Sequence, residues 1–200
     1  MIKWVVFDLG DVLLARTKAL PDLAALLGVD EHRFTDAYFT YRAHYDLHTD
    51  PVAFWTSAAA HAGAAEPDAA LIAELVRIDD LGWSVVNPET GQLLDDLHSS
   101  GVALAVLSNA PSSMGRLIES QSWADKFDHL LFSGDLQLSK PDRQIYRHLL
   151  ERLGAEAAEV AFLDDRADNV DAASAAGINA RRFTTAAQAR ADLRALGLPV

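Results

Sequence analysis

Cysteine is absent from this sequence, and so is any long hydrophobic run. Without cysteine there can be no disulfide bond, no thiolate metal site and no cysteine nucleophile. No apolar stretch approaches the roughly 20 residues that a membrane-spanning helix needs. The chain also enters its first apolar segment without the basic stretch and small-residue cleavage site of a secretory signal. These absences predict a cytoplasmic protein with no membrane partner.

Positive charge is scarce as well. The 17 Lys and Arg residues are outnumbered by 29 Asp and Glu residues, which gives a formal net charge of −12. A protein that binds nucleic acid needs a basic surface, so nucleic acid is not an expected partner. The excess of acids also repels anionic ligands at long range. A phosphorylated ligand would therefore need cations placed locally to hold it.

What the chain does have is an ordinary globular composition. It has 200 residues, of which 50% are hydrophobic and 23% charged, enough to bury a sizeable core. Four short apolar stretches without alternation predict strands that are buried on both faces: residues 2–7, 102–107, 129–132 and 160–163. Helical patterns separate them. The predicted fold is therefore α/β, a doubly wound parallel sheet.

Helix signals stand between the predicted strands. Asn87 followed by Pro88 predicts the start of one helix, and Gly101 predicts its end. Pro141 predicts the start of another helix, which runs to Leu153. This alternation of strands and helices is typical of a sheet with helices on both faces.

Residues 16–86 interrupt the alternation. They contain several helix patterns and no convincing strand, and two of these helices are predicted to start at Pro51 and Pro67. We therefore divide the chain into an α/β core made of residues 1–15 and 87–200 and an inserted helical cap subdomain made of residues 16–86.

Polar residues directly follow three of the predicted strands. Asp8 follows the first, Ser108 and Asn109 follow the second, and Asp164 and Asp165 follow the fourth. Because the carboxyl ends of parallel strands line the ligand crevice of an open sheet, we expect these side chains to converge. Adjacent carboxylates repel each other, and a bound cation is the usual compensation.

Lys140 directly precedes the helix signal at Pro141. A single lysine in a loop is usually a solvated surface charge. In this register, however, its ammonium can reach back over the edge of the sheet. It is then the fixed cation that offsets the acids.

Four stretches of the sequence, VVFDLGDVL, AVLSNA, SKPDRQIY and AFLDDRADNVDAASAAG, resemble the four motifs of the haloacid dehalogenase superfamily in order and spacing. The resemblance extends over about the whole chain, because residues 16–86 stand where that superfamily inserts its helical type C1 cap. The sequence is most similar to the bacterial sugar-phosphatase-like branch and to the N-terminal phosphatase domain of soluble epoxide hydrolase.

The resemblance implies a Mg²⁺-dependent phosphomonoester hydrolase that acts through an aspartyl-phosphate on a small metabolite such as a sugar phosphate. Asp8 matches the nucleophile. Asn169 matches a residue that orients the acidic loop. The implied metal ligands are Asp8, the backbone carbonyl of Gly10, and Asp165, with Asp164 as a further ligand or a support beside them. The implied phosphate-binding residues are Ser108, Asn109 and Lys140, of which Lys140 is also counted as catalytic.

Gly10 departs from the pattern of most phosphatases in the superfamily, which have a second aspartate there. That aspartate protonates the leaving group and activates the water, help that is typically worth about 10²–10⁴-fold in rate. Asp11 is one position away, so its side chain should point elsewhere unless the loop turns sharply. We interpret Asp11 as a turn or helix-start residue.

Three functions remain open. The first is a phosphatase that favours good leaving groups, or that uses water or Asp11 as the proton carrier. The second is a 2-haloacid dehalogenase with the same Asp8 nucleophile, a reaction that needs neither an acid nor a metal. The third is a protein that binds a phosphorylated ligand without turnover. The retained pair of Asp164 and Asp165 favours the phosphatase.

The proposed cap supplies candidates for substrate contact: His44, Tyr45 and Asp46, with Tyr41 beside them. His44 and His48 also have the i,i+4 spacing that can bind zinc, but the sequence offers no obvious third ligand. The expected partner is a small phosphorylated substrate, and the expected state is a monomer or a homodimer.

Overall fold

A five-stranded parallel sheet forms the centre of the protein in a computed structural model that describes all 200 residues. The strand order is β3-β2-β1-β4-β5. This arrangement confirms the predicted doubly wound α/β fold. The strands are β1 (Trp4–Phe7), β2 (Ala103–Ser108), β3 (His129–Phe132), β4 (Val160–Asp164) and β5 (Asn179–Arg182).

The central strands are buried on both faces, as their continuous apolar composition predicts. Successive residues of β1 point to opposite sides of the sheet. Val5 and Phe7 belong to the hydrophobic cluster on one face, and Val6 belongs to the cluster on the other. Both layers cover the sheet, and the parallel pairing of β1 with β2 and β4 keeps the carboxyl ends of the three strands in register.

Four helices lie within the proposed cap. They are α1 (Leu20–Leu27), α2 (Glu31–His48), α3 (Pro51–Ala62) and α4 (Ala69–Gly82). They enclose a separate hydrophobic cluster in which Phe34, Tyr38 and Trp55 are fully buried. The insert therefore has a core of its own.

The remaining helices flank the sheet: α5 (Pro88–Ser99), α6 (Ser112–Glu119), the short α7 (Ser133–Leu136), α8 (Arg143–Leu153), α9 (Ala167–Ala175) and α10 (Ala186–Ala195). Two 3₁₀ turns, Ala124–Lys126 and Ala157–Glu159, precede β3 and β4. No helix is both long enough and apolar enough to cross a bilayer.

Three sequence-based expectations need correction. The strand β5 was not predicted, because its sequence NARR is mostly polar and it pairs only with β4, at the edge of the sheet. The helix expected to start at Pro141 starts at Arg143, because the Asp142 side chain accepts a hydrogen bond from the Gln144 N–H at 2.8 Å and caps it. The helix expected from Pro67 likewise starts after the N-cap Asp68.

Hydrogen bonds join the C-terminal end of α2 to α7. The Ser133 hydroxyl donates to the carbonyl of Asp46 at 2.5 Å. The Gln137 side chain donates to the carbonyl of Leu47 at 2.7 Å. Because α7 directly follows β3, these bonds hold one end of α2 beside the carboxyl edge of the sheet.

Candidate active site

A buried lysine joins two carboxylates at the carboxyl edge of the sheet. The Lys140 ammonium lies 2.9 Å from Asp8 Oδ1 and 2.7 Å from Asp164 Oδ2. All three residues are buried. The lysine predicted to reach over the sheet edge therefore meets the acids that follow the first and fourth predicted strands.

The two carboxylates meet because their strands are neighbours. β1 pairs in parallel with β4, with Phe7 opposite Leu163, so Asp8 and Asp164 come one residue later at the same edge. The N–H of Leu9 donates to Asp8 Oδ1 at 2.7 Å. Asp8 Oδ1 therefore accepts from both Leu9 and Lys140, which leaves Oδ2 free for other chemistry.

Asn109 fixes the backbone of Lys140. Its side-chain N–H donates to the carbonyl of Lys140 at 2.8 Å, and its side-chain oxygen accepts from the N–H of Lys140 at 2.9 Å. The side chain expected to contact phosphate is thus already paired on both of its polar ends. It positions the lysine, a role that the sequence did not indicate.

Asp164 is surrounded by donors. Besides Lys140, the N–H of Arg166 donates to Oδ1 at 2.9 Å, and the Asn169 amide lies 3.0 and 3.1 Å from the two oxygens. Tyr146 in turn donates to the carbonyl of Asn169 at 2.9 Å. Asp164 is therefore held as a support beside the site, and Asn169 contacts the acidic loop that it was expected to orient.

The donor set of this edge fits a divalent cation. Asp8, Asp164 and Asp165 each offer a carboxylate oxygen, and these oxygens all lie within 4.8 Å of one another. Carboxylate oxygen is the ligand type that Mg²⁺ prefers. Asp165 and Gly10 line the cavity described below together with Asp8, whereas Asp164 stands behind them.

Burial and neighbouring charges have opposing effects on the pKa values of the ionisable groups at this edge. Burial raises the pKa of Asp8 to about 7, an effect that the Lys140 ammonium opposes and the Asp164 charge adds to. Burial and the neighbouring Asp164 charge also raise the pKa of Asp165. Burial alone would lower the pKa of Lys140, but the two carboxylates outweigh it and raise that pKa. Lys140 therefore does not fully compensate the burial of Asp8 and Asp165, and a bound cation would favour the ionised forms of these two acids.

A cavity of about 430 Å³ opens over these groups between the sheet and the helices of residues 16–86. Its lining residues come from both sides: Asp8, Gly10, Asp11, Ser108, Asn109, Met114, Lys140, Asp165, Arg166 and Asn169 from the predicted core, and Arg16, Phe39, Arg42, Ala43, Asp46 and Trp83 from the proposed cap. Ser108 thus lies with the nucleophile candidate, as the strand ends predicted.

Of the cap residues expected to contact substrate, Asp46 lines the cavity. The others lie elsewhere. His44 is exposed, its ring centroid lies 4.2 Å from that of His48 with the rings tilted by 43°, and no third metal-ligating side chain joins the pair. Tyr45 is buried and stacks on Phe54 at 4.5 Å. Tyr41 packs against the ring of His61.

Sequence reasoning missed the buried network around Arg42. Its guanidinium donates to Asp46 Oδ1 at 2.6 Å and to Asp79 Oδ2 at 2.7 Å. Tyr38 donates to Asp79 at 2.7 Å and accepts from the Trp83 indole N–H at 2.9 Å. Burial raises the pKa of Asp46 to about 6, although Arg42 opposes the shift. The i,i+4 spacing of Arg42 and Asp46 was the available signal, but Asp79 comes from a distant helix.

The loop after Asp8 turns sharply at Asp11. Its φ of +55° is in the left-handed region, which is unusual for a residue other than glycine. The Asp11 side chain consequently borders the cavity, where Arg16 Nη1 lies 3.9 Å from Asp11 Oδ2. The loop therefore does turn sharply, which is the condition under which the Asp11 side chain was not expected to point elsewhere, and its assignment as a turn residue agrees with the backbone.

Comparison with known proteins places this site in a family. A family model described as "haloacid dehalogenase-like hydrolase" matches residues 2–177. The sesquiterpene phosphatase astK of Aspergillus oryzae is 34% identical over 105 residues, which cover 52% of this chain and 54% of the relative. Phosphatase MT3486 of Mycobacterium tuberculosis is 31% identical over 130 residues, which cover 62% and 60%. The chain thus spans just over half the length of these curated relatives.

Solved structures share the fold at lower identity. An L-2-haloacid dehalogenase from Xanthobacter autotrophicus superposes with a TM-score of 0.74 at 23% identity, covering 95% of this chain and 82% of the other. A HAD family enzyme of Bacteroides thetaiotaomicron, in complex with magnesium and inorganic phosphate, has a TM-score of 0.67 at 20% identity, covering 92% and 95%. At this identity the likeness shows the fold alone.

Proposed function

The chain belongs to the haloacid dehalogenase-like hydrolase family, and we propose that it is a Mg²⁺-dependent phosphomonoester hydrolase acting on a small phosphorylated metabolite such as a sugar phosphate. The observation that carries the proposal is the meeting of Asp8, Asp164, Asp165 and Lys140 at one edge of the sheet. The two curated relatives described above are phosphatases by name. The cytoplasmic location and the monomeric or dimeric state stay predictions.

Asp8 is the proposed nucleophile. Its Oδ1 is held by Leu9 and Lys140, so Oδ2 is the oxygen free to attack phosphorus and form an aspartyl-phosphate. The P–O bond to the leaving group breaks as the new bond forms, and the leaving oxygen takes its proton from water or Asp11. Water then attacks the phosphorus of the aspartyl-phosphate, which releases inorganic phosphate and returns Asp8. Buried hydrogen bonds on one oxygen keep the other aimed at the cavity.

The metal would be held by Asp8, Asp165 and the Gly10 carbonyl, with Asp164 in support. When bound, Mg²⁺ supplies the positive charge that offsets the repulsion between a carboxylate and a phosphate dianion. Lys140 supplies a further buried positive charge for the phosphoryl oxygens, and the Ser108 hydroxyl is placed to donate to them. Asn109 contributes by fixing the backbone of Lys140.

Gly10 limits which substrates react well. No side chain at position 10 can protonate the leaving oxygen, so substrates with leaving groups of low basicity should be favoured. Phe39 and Trp83 line the cavity from the proposed cap and would reduce the access of bulk water to Asp8 when a substrate fills it. The proposed cap thus shields the aspartyl-phosphate while it forms.

A second candidate is a 2-haloacid dehalogenase that uses the same Asp8 nucleophile. It is favoured by Gly10, since halide departure needs no acid. The acid cluster of Asp8, Asp164 and Asp165 favours the phosphatase, because dehalogenation has no use for a cation there. A protein that binds a phosphorylated ligand without turnover is the third candidate, and the free Oδ2 of Asp8 argues against it.

One assay separates the three candidates. Purified protein is incubated with p-nitrophenyl phosphate, a panel of phosphorylated metabolites and 2-chloropropionate, each with Mg²⁺ and with EDTA. We expect phosphate release that requires Mg²⁺ and is abolished by Asp8→Asn, while the surface control Asp36→Asn behaves as wild type. Halide release that survives EDTA would establish the dehalogenase instead. No release from any compound, together with a stable beryllium fluoride complex, would establish the binding protein.

A further inference from the structure

Four positively charged side chains line the candidate active site: Arg16, Arg42, Lys140 and Arg166. Their partners decide which of them can receive a ligand. Lys140 is held between Asp8 and Asp164. Its charge is therefore already paired with these two carboxylates, at the end of the cavity where the phosphate is proposed to bind.

The guanidiniums of Arg42 and Arg166 are also committed. Arg42 bonds to Asp46 and Asp79 within the buried network. Arg166 makes a two-pronged contact with Asp168, with Nε 3.1 Å from Oδ1 and Nη2 2.8 Å from Oδ2. Both arginines therefore already share their charge with carboxylates of the protein.

Arg16 is different, because its side chain makes no hydrogen bond. The carboxylate of Asp11 lies 3.9 Å away, beyond hydrogen-bonding distance. The guanidinium stands over the ring of Phe39 at 5.9 Å from its centroid. When a guanidinium stacks on an aromatic ring, its N–H groups point outward in the plane of the guanidinium. They can then donate hydrogen bonds to an acceptor.

Arg16 also lines two cavities. It lines the active-site cavity and a second cavity of about 470 Å³ formed by the two segments that connect the helices of residues 16–86 to the sheet. Ile78, Leu81 and Val85 provide the apolar part of that second cavity. A substrate whose leaving group extends from Asp8 toward the second cavity would contact the guanidinium of Arg16.

We propose that Arg16 determines specificity by binding a second anionic group, a carboxylate or a second phosphate, on the leaving group of the substrate. This inference rests on the proposed phosphatase function. An uncommitted guanidinium offers planar, paired donors that match either anion. In a protein with a net charge of −12, a cation of this kind is the feature that makes a doubly anionic substrate acceptable.

The test compares substrates that differ only in the second anion. 3-Phosphoglycerate and glycerol 3-phosphate form the carboxylate pair. Fructose 1,6-bisphosphate and fructose 6-phosphate form the phosphate pair. Each is assayed with Mg²⁺ on wild type, Arg16→Gln and Lys18→Gln, with p-nitrophenyl phosphate as the reference. Lys18 is the matched control because it is an exposed cation two residues away that lines only the second cavity.

We expect wild type to prefer the doubly anionic member of one pair, and the pair identifies which anion is bound. Arg16→Gln should lower kcat/KM for that member about 10- to 100-fold, as for loss of a charged hydrogen bond. It should change p-nitrophenyl phosphate turnover less than about 3-fold, and Lys18→Gln should change neither. If wild type shows no preference, or if Arg16→Gln lowers kcat/KM equally for both members of a pair, the proposed role of Arg16 is overturned. The phosphatase function is not affected by either result. No turnover of any compound, p-nitrophenyl phosphate included, would overturn the phosphatase function and this inference with it.

Discussion

Trp83 stands over Gly10. A Cβ atom built on Gly10 would lie 3.6 Å from Cζ3 of the Trp83 ring, an ordinary van der Waals contact, and the backbone of Gly10 is not left-handed. The indole is fixed by its hydrogen bond to the hydroxyl of Tyr38. Nothing in the backbone therefore requires glycine at the position where related phosphatases have their acid, and the nearest neighbour of a new side chain is a single aromatic ring.

The first prediction concerns Gly10→Asp. A carboxyl group there would supply the missing proton donor, so phosphate release from an alkyl phosphate should rise about 10- to 100-fold, part of the usual value of general acid catalysis. Release from p-nitrophenyl phosphate, whose leaving group needs no proton, should change little. Steady-state kinetics with both substrates measure the ratio, and Gly10→Asn is the control of equal size.

An equal gain in Gly10→Asn would show that the effect is steric and contradict the acid role. A decrease in turnover with both substrates would show that the Trp83 ring does not move to accommodate the new side chain. Gly10→Asp combined with Trp83→Phe would then test this explanation.

The second prediction concerns Lys140→Met. Loss of the ammonium leaves Asp8 and Asp164 buried without their shared cation, so turnover should fall at least about 10²-fold. The free energy of unfolding at pH 8 should fall by about 3 kcal/mol, the usual scale for breaking a buried ion pair. Urea denaturation and kcat measure the two effects. Wild-type turnover in a folded Lys140→Met protein would remove the lysine from the mechanism.

The third prediction concerns Asn109→Ala. The substitution removes two hydrogen bonds to the backbone of Lys140, at 2.8 and 2.9 Å, and should lower stability by about 1–3 kcal/mol. If Asn109 acts by positioning Lys140, kcat should fall and KM should stay within about 3-fold, as expected when an interaction made in the transition state is lost. A large rise in KM with unchanged kcat would instead assign Asn109 to phosphate binding.

The fourth prediction concerns the pH dependence of stability through Asp80. Burial and the nearby charge of Asp79 raise the pKa of Asp80 to about 7, while its contact with Ser113 opposes the shift. Because the folded pKa lies above the unfolded value, this group's contribution is complete below about pH 4 and is lost as the pH rises through 7. Asp80→Asn should therefore match wild type at pH 4 and be more stable by about 1–3 kcal/mol at pH 8.

Chemical denaturation of both proteins at four pH values between 4 and 8 checks this prediction. Asp36→Asn, an exposed change on α2, is the control of equal charge. A constant difference between Asp80→Asn and wild type at all pH values would show that the effect does not arise from titration of Asp80.

The residues at the strand ends of the site could be predicted from the sequence, because they depend only on where each apolar run ends. A buried parallel strand is an apolar run, and the polar residues directly after it lie at the ligand edge, which located Asp8, Ser108 and Asp165. Strand β5 escaped because an edge strand carries fewer buried residues and so no apolar run. The pairing of Asn109 with the backbone of Lys140 escaped because it joins loops 31 residues apart.

The residues that line the substrate side of the cavity could not be predicted from the sequence, and the reason is a different one. Which face of α2 meets the cavity depends on how the helices of residues 16–86 pack on the sheet, and helical periodicity does not fix that docking. His44 and Tyr45 are neighbours of Asp46 in sequence, yet only Asp46 lines the cavity. Arg42 and Phe39, at i−4 and i−7 from it, share its face of the helix.

The bond from Ser133 to the carbonyl of Asp46 divides the rim of the cavity into a fixed part and a part that can give way. With Gln137 it ties the last turn of α2 to the segment after β3, so Asp46 keeps its place relative to the sheet. Any widening that preserves these bonds has to take place elsewhere on the rim. Arg16 lines the cavity and no hydrogen bond holds its side chain, so its guanidinium belongs to the part of the rim that can move.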